Sequence, residues 1–249
     1  MRAKIALTCL VGSAVLCACS ANQPWSQTGS GNQNGSGANS SGKPAGGGFS
    51  IDAGPAVQGS GKIVTDKRTL STTFTRLKLA IPADVDVHFA DGDSAASITF
   101  DENLIPLIKT EVQGETLRIG EQKTYSSAAT PKISITTAHL QAVDISGVGT
   151  VTVPNTKEDA FNVSVSGKGN VLGNGTCSDL TVRLSGTGNI DLANLQSQAV
   201  SIHISGKGNV DVGPSDSMEV FISGVGNVRY KGDAKIEEHI TGVGTVTKI

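Results

Sequence analysis

The sequence predicts an all-β protein, a parallel β-solenoid with coils of 18–20 residues preceded by a less regular β region. Three observations carry this. A motif of Ser or Thr, Gly, any residue, Gly, then Asn or Thr recurs six times, starting at Ser146, Ser166, Ser185, Ser205, Ser223 and Thr241. Its first glycines are spaced by 20, 19, 20, 18 and 18 residues, a period too short for a propeller blade or a helical hairpin. Period-two alternation flanks each copy, as in Val182-Arg-Leu184, Ile202-His-Ile204 and Val210-Asp-Val212, so each strand buries one face. With 31 glycines among 249 residues but only 8 prolines and 4% aromatics, a collagen period is excluded and the core must be filled by Val, Ile and Leu.

The chain opens with an export signature over residues 1–18. Arg2 and Lys4 precede an apolar run, and small residues lead to Cys19, the layout of a secretory signal too short to span a bilayer. Leu16-Cys17-Ala18-Cys19 resembles a bacterial lipobox, which makes Cys19 the expected lipidation site and membrane anchor. Several acyl chains hold far more firmly than one. Ser20, rather than Asp, follows the cysteine, and by the same resemblance favours the outer membrane. Processing would remove Cys9 and Cys17, leaving Cys177 with no intrachain partner and the expected role of a half-buried structural thiol in a turn. Residues 19–54 are rich in Gly, Ser and Asn with little to bury, and read as a flexible tether. About 30 such residues span on the order of 30 Å, enough to lift a head off a lipid surface.

Residues 55–249 form the head. Within 55–137 the strands alternate without an obvious repeat: Leu77-Lys-Leu79, Val85-Asp-Val87-His-Phe89, Leu117-Arg-Ile119 and Ile133-Ser-Ile135. Asp101 heads a short helical turn as a candidate N-cap, and Tyr125 to Thr130 is read as a loop. This region is expected to form irregular coils or to cover the open end of the solenoid. Residues 138–249 hold the regular repeats. Paired glycines allow a tight corner or positive φ, Asn170, Asn189, Asn209 and Asn227 tolerate αL backbone and form a hydrogen-bonded ladder, and the motif serines form a second ladder. In the last coil Glu238 falls in the column of Val143, Val163, Val182, Ile202 and Val220, where a carboxylate ends the stack.

Near-neutral charge, with 20 Lys and Arg against 22 Asp and Glu, gives no general reason to bind nucleic acid. No cofactor or metal is expected: the glycines from Gly167 to Gly173 miss the dinucleotide spacing with no following helix, and the repeats lack the aspartate of a calcium-binding roll. Alignment on the Ser-Gly step places Asp144, Ser164, Arg183, His203, Phe221 and His239 in one outward column. The other outward column is Thr152, Leu172, Asp191, Asp211, Arg229 and Thr247. Asp191 and Asp211, one strand spacing apart, are the carboxylates that a polysaccharide lyase or hydrolase on this fold would use. Arg229 beside them favours a solvated charge ladder instead. Lys168 and Lys207, central in two Gly-x-Gly corners, and His203 with Arg183 and Phe221 complete the candidate binding surface.

Phe74-Thr-Arg-Leu-Lys-Leu, Val85-Asp-Val-His-Phe, Gly114-Glu-Thr-Leu-Arg-Ile, Leu140-Gln-Ala-Val-Asp-Ile-Ser-Gly-Val-Gly and the Ser-Gly-x-Gly-Asn copies resemble the "putative auto-transporter adhesin head GIN domain" family, DUF2807, over about residues 60 to 249. The resemblance implies a right-handed β-helical domain, attached in many members to lipoprotein signals, and it implies adhesion without fixing a ligand or a catalytic residue. The expected whole is a lipid-anchored cell-envelope protein presenting a non-catalytic solenoid to a glycan or protein, or serving envelope structure. A carbohydrate-active enzyme built on Asp191 and Asp211 is the alternative, and the oligomeric state is open.

Overall fold

The computed structural model describes residues 52–70 and 72–249. The signal, Cys19 and the tether up to residue 51 lie outside the described residues. The first half of the head comprises β1 (Asp52–Gln58), β2 (Ile63–Thr69), β3 (Arg76–Leu79), β4 (Asp84–Phe89), β5 (Ala95–Asp101), one 3-10 turn (Ile105–Leu107), β6 (Ile108–Gln113), β7 (Thr116–Glu121), β8 (Lys123–Ser126) and β9 (Lys132–Thr137). The second comprises β10 (Ala142–Ile145), β11 (Val148–Val165), β12 (Lys168–Leu184), β13 (Thr187–Gln196), β14 (Ala199–Ile204), β15 (Lys207–Val212), β16 (Ser217–Ile222), β17 (Val228–Tyr230), β18 (Lys235–Ile240) and β19 (Val246–Lys248). Strand β1 begins inside the span assigned above to the tether. Among the described residues no helix is long and apolar enough to cross a membrane.

The fold is a β-solenoid. Each coil supplies one strand to each of two parallel stacks, and the coil itself is the crossover that parallel strands require. The first stack runs β7, β3, β10, the C-terminal half of β11, the C-terminal half of β12, β14, β16, β18. The second runs β9, β4, then the N-terminal halves of β11 and β12, and β13, β15, β17, β19. The stack therefore does not follow chain order at its start. Strands β3 and β4, which come first in sequence, are sandwiched between the later β7 and β9 on one side and the repeats on the other.

Period-two alternation sorts the side chains. Leu117, Leu77, Val143, Val163, Val182, Ile202 and Val220 form one buried column, and Ile119, Leu79, Ile145, Val165, Leu184, Ile204 and Ile222 the next, each residue in contact register with the same position one coil away. Burying each such side chain is worth about 1.5–3 kcal/mol, so the columns supply the packing that no disulfide among the described residues reinforces. Glu238 does continue the first column, opposite Val220, and it is exposed.

The end made by β2, β5 and β6 is closed by antiparallel pairings, β2 with β5, β5 with β9 and β6 with β7. Side chains tie this end together. The Arg68 guanidinium donates to the carbonyls of Ile108 at 2.7 Å and Ile105 at 3.0 Å. Asp101 is not the N-cap read from the sequence: Leu104 holds that position without a side-chain cap, while Asp101 ends β5 with only 1% of its surface exposed. Its carboxylate instead accepts the Gly61 N–H at 2.6 Å and the Ser127 hydroxyl, pinning two chain segments that are distant in sequence. Tyr125 is not in a loop either, because Lys123–Ser126 pairs in parallel with β1, and its ring packs edge-on to Phe100 at 5.4 Å. Burial, with the Glu121 charge adding to it, pushes the Tyr125 phenol up to about 12.

Candidate functional site

The corner motif fixes where every outward residue points. In each coil the carbonyl before the motif serine accepts two N–H groups from the coil above, as Ile145 accepts from Ser166 at 2.9 Å and Gly167 at 3.1 Å. The next N–H reaches the first glycine's carbonyl one coil below, Lys207 to Gly186 at 2.9 Å for example. This brings backbone so close to backbone that a Cβ on Gly186, Gly206 or Gly224 would overlap the carbonyl oxygen of the glycine beneath it. Close approach, more than positive φ, is why the motif needs glycine; only Gly149 and Gly208 among the motif glycines adopt φ in the left-handed region. The motif asparagines do not adopt αL backbone, since the one non-glycine residue at positive φ among the described residues is Asn155.

The asparagines stack. The Asn170 side-chain carbonyl accepts the Asn189 N–H at 2.9 Å, that of Asn189 accepts the Asn209 N–H at 3.2 Å, and that of Asn209 accepts the Asn227 N–H at 3.3 Å. The row begins earlier and ends later than the asparagines, with Asp84 accepting from the Thr150 N–H at 3.1 Å and Asn227 accepting from the Thr245 hydroxyl at 2.9 Å. The motif serines are in line, but the Ser146 and Ser166 hydroxyls donate to the backbone carbonyls of Leu79 and Ile145 rather than to one another. Cys177 sits within β12 opposite Glu158, not in a turn. Burial and the nearby Asp179 charge push its thiol up to about 11, which suits an inert packing group.

The residues of the candidate binding surface fall on three separate strips. On the first stack, Arg183, His203, Phe221 and His239 follow one another in register. The rings lie nearly parallel, His203 on Phe221 at 4.7 Å and 3°, Phe221 on His239 at 4.7 Å and 12°. Because the Phe221 faces are covered by the two imidazoles, the column offers ring edges to a partner along most of its length. On the second stack, Asp191 and Asp211 are directly paired in register. Arg229 clamps Asp211 through two bonds, Nε to Oδ1 at 2.6 Å and Nη2 to Oδ2 at 2.5 Å, and that carboxylate raises the arginine's pKa further. Asp191 accepts the Ala193 N–H at 3.2 Å. Lys168 and Lys207 lie on the corner ridge between the stacks, exposed and separated by Thr187.

Two groupings escaped the sequence reading. Ligand atoms of Glu219, Glu237 and His239 come within 4.8 Å of one another at the last two coils, all exposed, the one set among the described residues arranged to hold a cation. The second is a depression of about 720 Å³ on the first stack. Its floor is small, with Ala142 and Ser164, and around it stand Arg76, Lys78, Arg118 and Arg183. Lys78 meets Asp144 at 3.6 Å. The register could have revealed it only if β7 and β3 were known to be neighbours, which no repeat in the sequence indicates.

The sequence profile described as "Putative auto-transporter adhesin, head GIN domain" matches residues 73–234. Among solved structures, one described as a "putative adhesin" from Bacteroides fragilis is 25% identical, with a TM-score of 0.66 over 78% of this chain and 100% of that one. A second "putative adhesin", from Parabacteroides merdae, is 21% identical, with a TM-score of 0.48 over 78% of this chain and 99% of its own. A "putative lipid binding protein" from Parabacteroides distasonis is 20% identical, with a TM-score of 0.49 over 78% and 100% of the two chains. No curated protein matches the sequence.

Proposed function

The chain belongs to the auto-transporter adhesin head GIN-domain family, and on that premise we propose that it is an exported, non-catalytic adhesive head carried on the cell envelope by lipid on Cys19. The observation that carries the reading is the first stack itself. Eight strands, from β7 to β18, lie in register, so their outward side chains form a long flat array at the inter-strand spacing of ~4.8 Å. Such an array matches an extended, repetitive partner better than a compact substrate, which calls for a concave pocket. The family name and the Bacteroides fragilis relative, described as a "putative adhesin", support the same reading.

The carboxylates that an enzyme would need support it as well. Asp211 is neutralised by a two-point clamp from Arg229, which removes the free acid and base pair that glycoside cleavage requires. The signal, tether and lipobox supply the address, with the outer membrane as its destination.

The test is made in cells that express the full chain or Cys19→Ala. The proposal expects the wild-type chain to take up a palmitate label, to sediment with envelopes, and to increase retention of the cells on immobilised glycans or host-surface proteins. Cys19→Ala should be unlabelled and should leave the envelope fraction. An unlabelled wild-type chain recovered from the cytoplasm would refute the anchoring half. Turnover of a polysaccharide that disappears in Asp211→Asn would refute the non-catalytic half.

A further inference from the structure

The first stack is electrically lopsided although the chain as a whole carries a formal charge of only −2. Towards its capped end Arg118, Lys78 and Arg76 project outward from adjacent coils, with Arg183 further along the same face. Towards its other end the outward residues include Glu219 and Glu237, paired in register. The cations surround the depression described above. Within it Asp144 faces Lys78, and Glu111 stands opposite Arg118 on the neighbouring antiparallel strand, so the two carboxylates leave an excess of positive charge. Neither Arg76 nor Arg183 is in an ion pair among the described residues, and both are exposed.

We propose that this depression binds an acidic polysaccharide, a chain of carboxylated sugars lying along the solenoid axis. The inference deepens the adhesive reading and rests on it. Charge selects the class: an excess of guanidinium and ammonium groups around a floor free of aromatic faces recognises anions, and arginine in particular matches carboxylates through two parallel N–H bonds. Geometry selects the polymer. Arg118 and Arg183 are four coils apart, on the order of 19 Å at the strand spacing, while Lys78 and Arg76 stand between them, which suits several charges repeated along one chain rather than a single small anion. Adjacent coils are separated by about the length of one pyranose unit, so successive sugars meet successive rungs. The small floor residues Ala142 and Ser164 leave room for the rings, and Asn162 and Ser164 supply groups able to bond hydroxyls.

The test uses the purified full chain and two forms of one polymer, polygalacturonate and its fully methyl-esterified counterpart, in which each carboxylate is replaced by an uncharged ester. The wild-type chain should bind the acidic form at least about tenfold more tightly, with affinity falling as salt rises. Arg76→Glu with Arg183→Glu should abolish that preference, and the milder Arg76→Gln with Arg183→Gln should weaken it in proportion, with unchanged thermal unfolding showing that the head remains folded. Glu219→Gln with Glu237→Gln, at the opposite end, should not weaken binding. Equal affinity for both polymers, or binding insensitive to the arginine changes, overturns the inference. Binding of neutral glycans that survives the arginine changes would overturn it while leaving the adhesive head intact, whereas failure of the wild-type chain to bind any glycan or cell surface removes both. Phosphatidylglycerol vesicles form the last arm: tighter binding to them than to polygalacturonate, lost in the arginine variants, would identify a lipid headgroup and overturn the glycan assignment.

Discussion

The two ends of the head reach the same parallel stacking by different means. From β10 onward each coil repeats one solution: aliphatic columns inside, a glycine corner pressed against the corner below, and a row of asparagine side chains along it. Before β10 no such rule is repeated. Antiparallel pairings, the buried Asp101 and the Arg68 guanidinium tie together segments some 40 residues apart in sequence. The difference extends to the ends themselves. Strands β2, β5 and β6 cover the first, whereas the last coil leaves Ile240 39%, Val243 70% and Ile249 56% exposed. A repeated coil is stabilised by its neighbours and needs no dedicated side chains, but a stack has to begin somewhere, and the beginning requires specific contacts.

The sharpest way to break this comparison is to add one methyl group to each region. In the repeats, Gly186→Ala drives a Cβ into the Gly167 carbonyl, which cannot retreat without losing its bond from the Thr187 N–H at 2.9 Å. Urea unfolding should show a loss of about 3 kcal/mol or more. Gly114→Ala, in the hairpin between β6 and β7, has open space around it and a φ of 60°, so it should cost only ~1–2 kcal/mol through backbone conformation. Equal losses would mean that the corners are not in contact.

Next in size is Asp101→Ala. It takes the buried acceptor away from the Gly61 N–H and the half-buried Ser127 hydroxyl, for about 2 kcal/mol. Hydrogen exchange should accelerate around residues 59–61 and 126–129 while the coils beyond β12 stay protected; uniform acceleration would show that the two regions are one cooperative unit. In the coils, Asn209→Ala removes side-chain bonds to both neighbouring coils, to Asn189 and to Asn227, at an exposed position, and should cost about 1 kcal/mol by the same unfolding assay.

The repeats were legible because every coil meets the same steric problem, so the same residues recur at 18–20 positions and expose the period. The outward columns followed by counting from Ser-Gly, and the register pairs His203 with Phe221 and Asp191 with Asp211. The beginning of the stack was illegible for a physical reason that the corners reveal. Each motif glycine is required by the coil beneath it: Gly147 and Gly149 sit over the carbonyls of Ile81 and Ala83. The corner containing Ile81, Pro82 and Ala83 supports a coil without resting on an equivalent corner, and it carries no glycine. Likewise Asp101 resembles a cap by its place before a turn, but a distant loop claims its carboxylate. The basic depression was hidden with them, since it depends on β7 lying beside β3.

The smallest effect expected is a titration in each region. Both Cys177, in the coils, and Tyr125, in the capped end, are held neutral by burial, from ordinary values of 9.0 and 10.0 up to about 11 and about 12. A raised acid pKa favours the folded state in full below the ordinary value, and that contribution is lost as pH climbs towards the folded one. Stability should therefore decline between pH 9 and 11 less steeply in Cys177→Ala than in the parent chain. Alkylation of the native thiol should stay slow across neutral pH, and rapid labelling there would place Cys177 outside the packed wall.

The order of the first coils underlies both the comparison and the depression, and cross-linking reads it directly. In a head of residues 47–249 carrying Cys177→Ser, Arg76→Cys is combined with Thr116→Cys or with Ala142→Cys, and Thr116→Cys with Ala142→Cys. Adjacent parallel strands bring Cα atoms within the ~4.4–6.8 Å that a disulfide spans, and strands two rungs apart do not. Arg76→Cys should form a disulfide with either partner, and the Thr116–Ala142 pair should form none. A disulfide between positions 116 and 142, with none between 76 and 142, would put the coils in chain order and contradict the account.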